Sequence, residues 1–94
     1  MHYILFYEVA DNYIERRAPY REAHLKLGTA AYERGELLFA GALVDPIDGA
    51  VLIFRTQQGA EEFARADPYV LNGAVKAWRV RKWMTVIGEG STPL

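Results

Sequence analysis

Leu37-Leu38-Phe39-Ala40-Gly41-Ala42-Leu43-Val44, then Asp45-Pro46-Ile47-Asp48-Gly49, then Ala50-Val51-Leu52-Ile53-Phe54-Arg55, is the stretch that decides the fold. Residues 37–44 and 50–55 are aliphatic and aromatic runs that read as strands. The connection between them is dense in turn-forming residues. Upstream, residues about 18–34 read as a helix, with Pro19 suited to its first turn and Gly35 to its stop. A shorter helical turn is expected before it, around Tyr13 to Arg16. Residues 2–9 (HYILFYEV), bounded by Asp11-Asn12, read as a first strand. Downstream, Thr56 is a plausible N-cap for a helix over about 57–66. Asp67-Pro68 breaks that helix and opens a short turn through Asn72-Gly73. Residues 75–83 (VKAWRVRKW) form a fourth strand, and 88–94 read as a flexible C-terminal tail. The order β-α-β-β-α-β predicts an α+β, ferredoxin-like domain over residues 1–87: an antiparallel sheet with two main helices on one face.

Composition narrows the function classes. A chain of 94 residues makes one domain, and 51% hydrophobic with 13% aromatic residues supports a packed core. A formal charge of −1, with acids and bases interspersed, gives no electrostatic footprint for nucleic acid or an anionic membrane. The strand 49–54 also lacks the basic and aromatic signature of the RNA-binding module that shares this topology. No run approaches the roughly 20 apolar residues of a membrane span. Strand-like sequence directly after Met1 leaves no room for a secretory leader, so a cytoplasmic protein is expected. Without cysteine there is no disulfide, thiol nucleophile or thiolate metal site. The two histidines are too far apart for metal-ligand spacing, and neither a metal nor a cofactor is expected.

The strands predict self-association. Tyr3, Leu5, Tyr7 and Val9 oppose Ile4 and Phe6; Leu37, Phe39 and Leu43 oppose Leu38, Ala40 and Val44; Leu52 and Phe54 oppose Val51 and Ile53. A sheet covered on one face shows polar residues on the other. Here both faces are apolar, and a tail of seven residues is too short to cover the second. Packing of two identical subunits through that face is the simplest solution, giving a homodimer and leaving room for a higher multiple of dimers.

Chemistry gathers around His24. Histidine titrates near neutrality and is the usual general acid or base. At 100° per residue, Tyr20, Ala23, Leu27, Ala30 and Ala31 make the stripe facing the sheet, which puts His24 at its edge. Arg21 and Gly28 lie on the same flank. A glycine inside a helix costs about 1 kcal/mol relative to alanine, so Gly28 points to a close approach beside His24, whether by the sheet or by a ligand. By position alone His24 reads as a boundary histidine bonded to a backbone carbonyl. Asp67 is the natural carboxylate to examine; before Pro68 it reads equally as a helix N-cap. Its alternative role is to meet His24, fix the imidazole tautomer and stabilise imidazolium. Arg79, Arg81 and Lys82 read as a solvated edge or a dimer rim.

Arg21-Glu22-Ala23-His24-Leu25, Gly35-Glu36-Leu37-Leu38-Phe39-Ala40-Gly41 and Ala66-Asp67-Pro68-Tyr69-Val70 with Gly73, in that order, resemble the YCII-related domain family over nearly the whole chain. The resemblance implies a sheet-packed dimeric α+β barrel and a His–Asp pair that falls here on His24 and Asp67. Arg21 matches the arginine three residues before the histidine, and Tyr69 the aromatic of the Asp-Pro-Tyr turn. Ala42 stands where many relatives carry proline. The implied activity is proton-transfer chemistry on small cyclic compounds. The leading expectation is therefore a cofactor-independent lyase or isomerase acting on a small, anionic or phenolic molecule. His24 is its acid–base, Asp67 its orienter and Arg21 its oxyanion stabiliser, with Gly41 and Tyr69 lining the cleft. The alternatives are a non-catalytic small-ligand-binding or accessory subunit, and an oligomerisation module in which the pair only stabilises the fold.

Overall fold

Residues 1–92 are described in a computed structural model of the chain. The expected flexible tail thus lies partly outside the described residues. In its described part, the Met1 nitrogen donates to the Gly90 carbonyl at 2.9 Å and to the Thr92 hydroxyl at 3.1 Å.

Strand β1 (His2–Val9) leads into helix α1 (Tyr13–Arg17), a 3-10 turn (Ala18–Tyr20) and helix α2 (Arg21–Glu33). Strands β2 (Leu37–Ala42) and β3 (Gly49–Phe54) follow, then α3 (Gln57–Ala66), a short α4 (Pro68–Leu71) and β4 (Val75–Trp83). The sheet order is β2-β3-β1-β4, antiparallel throughout, the ferredoxin-like α+β arrangement. Only β2 and β3 are neighbours both in sequence and in the sheet; β1 pairs with β3 and β4, strands far along the chain.

Local chemistry fixes the element ends. Pro19 has no amide hydrogen, and the chain there tightens into a 3-10 turn in which the Arg21 amide bonds the Ala18 carbonyl. The expected helix over 18–34 therefore begins only at Arg21. It stops at a Schellman motif: Gly35, at φ +81°, donates to the Tyr32 carbonyl and Glu36 to that of Ala31. The expected strand over 37–44 ends at Ala42. One further bond joins the Leu43 amide to the Gly49 carbonyl, and beyond it Asp45 takes a left-handed φ of 61° and Pro46 offers no donor. Thr56 caps α3, its hydroxyl accepting from the Gly59 amide at 3.0 Å.

Register separates the two sheet faces. Leu5 pairs with Leu52 and Tyr7 with Ala50; these face the helices and form one buried cluster with Ala31, Ala60, Phe63 and Ala64. Ile4 pairs with Ile53, Phe6 with Val51 and Phe39 with Ile53 on the opposite face. That face is not polar. Ile4, Phe6, Val51 and Ile53 are half-buried, and Phe39 is 76% exposed. Arg79 on β4 lies over the Phe6 ring at 4.7 Å. No helix among the described residues is long and apolar enough to cross a membrane.

Candidate active site

Asp67 organises the site. Pro68 disfavours helical dihedrals at the residue before it, and Asp67 is extended (φ −68°, ψ 121°) between α3 and α4. In that conformation Oδ1 accepts from the Tyr69 amide at 3.0 Å, capping α4. The carboxylate is 0% exposed and meets two more donors. The Tyr7 hydroxyl donates to Oδ2 at 2.6 Å, and His24 Nδ1 lies 2.8 Å from Oδ1 and 3.0 Å from Oδ2. The two readings of Asp67, cap and histidine partner, therefore hold together in one group. A buried carboxylate is tolerable only when its lone pairs are used, and three donors converge on this one.

The same contacts set the tautomer of His24. Asp67 acts as acceptor, so Nδ1 carries a hydrogen, and in the neutral ring Nε2 presents a lone pair. The ring plane is fixed as well. His24 stacks on Tyr69 with centroids 3.8 Å apart and planes 6° apart, and meets Phe63 edge-on at 6.2 Å. Its side chain is 17% exposed and lines a cleft of about 590 Å³ between α2 and the β2–β3 side of the sheet. That size suits a small ligand.

Charge and polarity in the cleft are one-sided. Arg17 and Arg21 line it; among the described residues no aspartate, glutamate or lysine does. Both come from the joint where α1 gives way to the 3-10 turn and α2. Arg17 lies over the Tyr13 ring at 4.9 Å, and Tyr13 meets Tyr69 edge-on at 6.0 Å. Burial raises the Tyr69 phenol above its ordinary value and Tyr13 adds to this, while Arg21 and Arg17 pull it back. Arg21 nonetheless makes no aligned hydrogen bond to it: the Tyr69 hydroxyl is buried without a partner among the described residues. Burial, and then the charge of Asp67, raise the Tyr7 phenol strongly, so it stays a donor.

Each residue expected from sequence has a definite place. His24, Asp67 and Tyr69 meet directly, while Arg21, Gly28 and Gly41 lie along the cleft. A Cβ built on Gly41 meets nothing within 4 Å, and one on Gly28 meets only Leu37 Cδ2 at 3.9 Å, so neither glycine is demanded by packing. One expectation is corrected. Ala23 is exposed, and the inward row of α2 is His24, Leu27, Gly28 and Ala31, so His24 stands on that row and not beside it. A hydrophobic count places alanine inside; the buried Asp67 carboxylate instead needs a donor from α2. Sequence reasoning missed Tyr7 and Arg17. Tyr7 had a signal, a phenol on the core-facing side of β1 that needs a polar partner. Arg17 had little, because the break after α1 hides its relation to Arg21. Among the described residues, no group of three or more His, Asp or Glu side chains is placed to hold a metal ion.

Comparison with known proteins places the chain. Its architecture resembles that of a 5-chloro-2-hydroxyhydroquinone dehydrochlorinase from Burkholderia phenoliruptrix, solved in complex with 2,5-dihydroxybenzoquinone. The TM-score is 0.75 over 98% of this chain and 100% of that one, at 17% identity. Identity that low speaks for the fold alone. No curated protein matches the sequence. The pattern of the YCII-related domain matches residues 1–84, from the first strand to the end of β4, and so takes in every residue that meets at Asp67. The chain belongs to the YCII-related domain family.

Proposed function

We propose that the protein is a cofactor-independent enzyme of lyase or isomerase type, moving a proton on a small cyclic or aromatic substrate. One observation carries this reading. His24 is held at Nδ1 by a buried carboxylate, at 2.8 Å, while its ring lines a cleft that also holds two arginines. In the proposed cycle Nε2 takes the proton from a ring carbon beside a carbonyl. The C–H electron pair moves onto the carbonyl oxygen as an enolate, and Arg21 stabilises that charge. Asp67 holds the resulting imidazolium in place, and the stacked Tyr69 ring lies flat against it. The enolate then expels a leaving group, which departs while Nε2 gives up its proton to it or to water, a lyase step, or takes the proton back from Nε2 at another carbon, an isomerase step. Gly41 and Gly28 leave room for the substrate ring. The dehydrochlorinase with the same architecture, whose name specifies a chlorinated hydroquinone, supports the choice of substrates to try.

Turnover of chlorinated hydroquinones and small lactones by the wild type and His24→Ala tests this reading. A loss of about 10²–10⁴-fold in a folded variant is expected for removal of a positioned acid–base. Equal turnover would remove His24 from the chemistry and leave a ligand-binding protein.

The open sheet face supports a second element of the proposal, pairing of two chains through Ile4, Phe6, Phe39, Val51 and Ile53. An apolar face of this extent is costly to leave in water, and an isologous twofold contact covers it with the same residues on both sides.

A further inference from the structure

We infer that Arg17, Arg21 and the Tyr69 hydroxyl form an anion subsite beside His24, which holds a carboxylate borne by the substrate ring. The inference rests on the cleft being the substrate site, and adds the class of substrate it takes. Three observations support it.

The first is the unpaired Tyr69 hydroxyl. Tyr69 is 1% exposed and lines the cleft, yet its hydroxyl has no partner among the described residues. A buried hydroxyl without a hydrogen bond is left desolvated and uncompensated, a cost which a ligand oxygen would relieve. The second is adjacency. Arg17 lies 4.9 Å from the Tyr13 ring centre, Tyr13 is 6.0 Å from Tyr69, and Tyr69 is 3.8 Å from His24. An anion held here sits next to the acid–base. The third is charge. Two guanidiniums line the cleft and one carboxylate, Asp67, lies behind it, leaving one positive charge in excess while His24 is neutral.

A neutral ring leaves that charge unbalanced once water is excluded, and a phosphate dianion exceeds it. A phenolate offers one oxygen to three donor groups. A carboxylate brings one charge and two oxygens, and fits the forked donors of arginine. Proton transfer from ligand to His24 moves charge within the site without changing its total, so the match persists through the reaction.

Calorimetric titration with 2,5-dihydroxybenzoate and 2,5-dihydroxybenzamide tests the subsite, because the two differ only in the charged group. The acid is expected to bind the wild type at least tenfold tighter than the amide. Arg17→Gln should reduce the acid to the level of the amide. Tyr69→Phe should weaken the acid several-fold and raise the melting temperature, which loss of a merely structural hydroxyl bond would not do. Equal binding of acid and amide by the wild type, or binding of neither, overturns the inference, as does an Arg17→Gln chain that binds the acid unchanged. Failure of catalysis is read separately: if His24→Ala and the wild type bind the acid alike and neither turns substrate over, the subsite stands and the proposed chemistry falls.

Discussion

At the scale of single residues, the carboxylate of Asp67 is the group on which most else depends. Asp67→Asn keeps the shape and one acceptor oxygen but turns the other into a donor, facing either the Tyr7 hydroxyl or His24 Nδ1. If it faces Nδ1, the imidazole must hold its hydrogen on Nε2 and loses its lone pair toward the cleft. Turnover should fall by about 10²–10⁴-fold, with the ring still in place by nuclear magnetic resonance; full activity would show that the tautomer is immaterial. Tyr7 makes a pH-dependent contribution. Its phenol is held above the ordinary value near 10, first by burial and then by Asp67, so the folded chain keeps a proton that the unfolded chain releases above about pH 10. That stability is present below the unfolded pKa and is lost as pH rises beyond it. Melting curves from about pH 9 to about pH 11 should therefore fall less steeply for Tyr7→Phe than for the wild type; parallel slopes would remove Tyr7 from the linkage. Of these residues, His24, Asp67, Arg21 and Tyr69 were legible because they stand in short ordered patterns. The donor from β1 was legible only as a core-facing phenol in need of a polar partner, because pairing across 60 residues leaves no local trace of which partner it meets.

Elements show a different kind of legibility. The strands at 2–9 and 75–83 and the helix at 57–66 are found where composition puts them, since their ends carry turn residues or a cap. Helix α2 is the instructive case. Its length was shortened by Pro19, and its inward row includes a histidine and a glycine in place of the alanine that periodicity favours. Periodicity weighs hydrophobicity alone; a buried acceptor on a neighbouring element can turn a helix toward it. The α3 cap is, by contrast, a local device with a local cost. Thr56→Ala should destabilise the domain by about 0.5–2 kcal/mol in chemical denaturation. A change below the error of the fit would show that water replaces the hydroxyl. Gly59 belongs to the same device, because a Cβ there would lie 2.9 Å from the Thr56 hydroxyl oxygen.

For the molecule as a whole, the doubly apolar strands were the clearest message in the sequence, and the structure leaves their second face open. Ile53 sits in the middle of that face, paired with both Ile4 and Phe39. Sedimentation should give a dimer for the wild type and a folded monomer for Ile53→Asp, since burying an unpaired carboxylate at such a contact is strongly unfavourable. A wild type that sediments as a monomer at micromolar concentration would end that proposal. The cleft was less legible than the face. It is bounded by α2 on one side and β2 on the other, elements whose mutual position depends on the whole sheet order.

Three donors from three separate elements, β1, α2 and α4, converge on one buried oxygen pair. The His24–Asp67 pair is consequently not a local motif that a fragment of the chain can carry. It exists only when segments 43 and 60 residues apart have already docked. A partly folded chain therefore lacks the pair altogether, and any lesion that loosens one of the three elements is felt at the histidine, however far from the cleft it occurs.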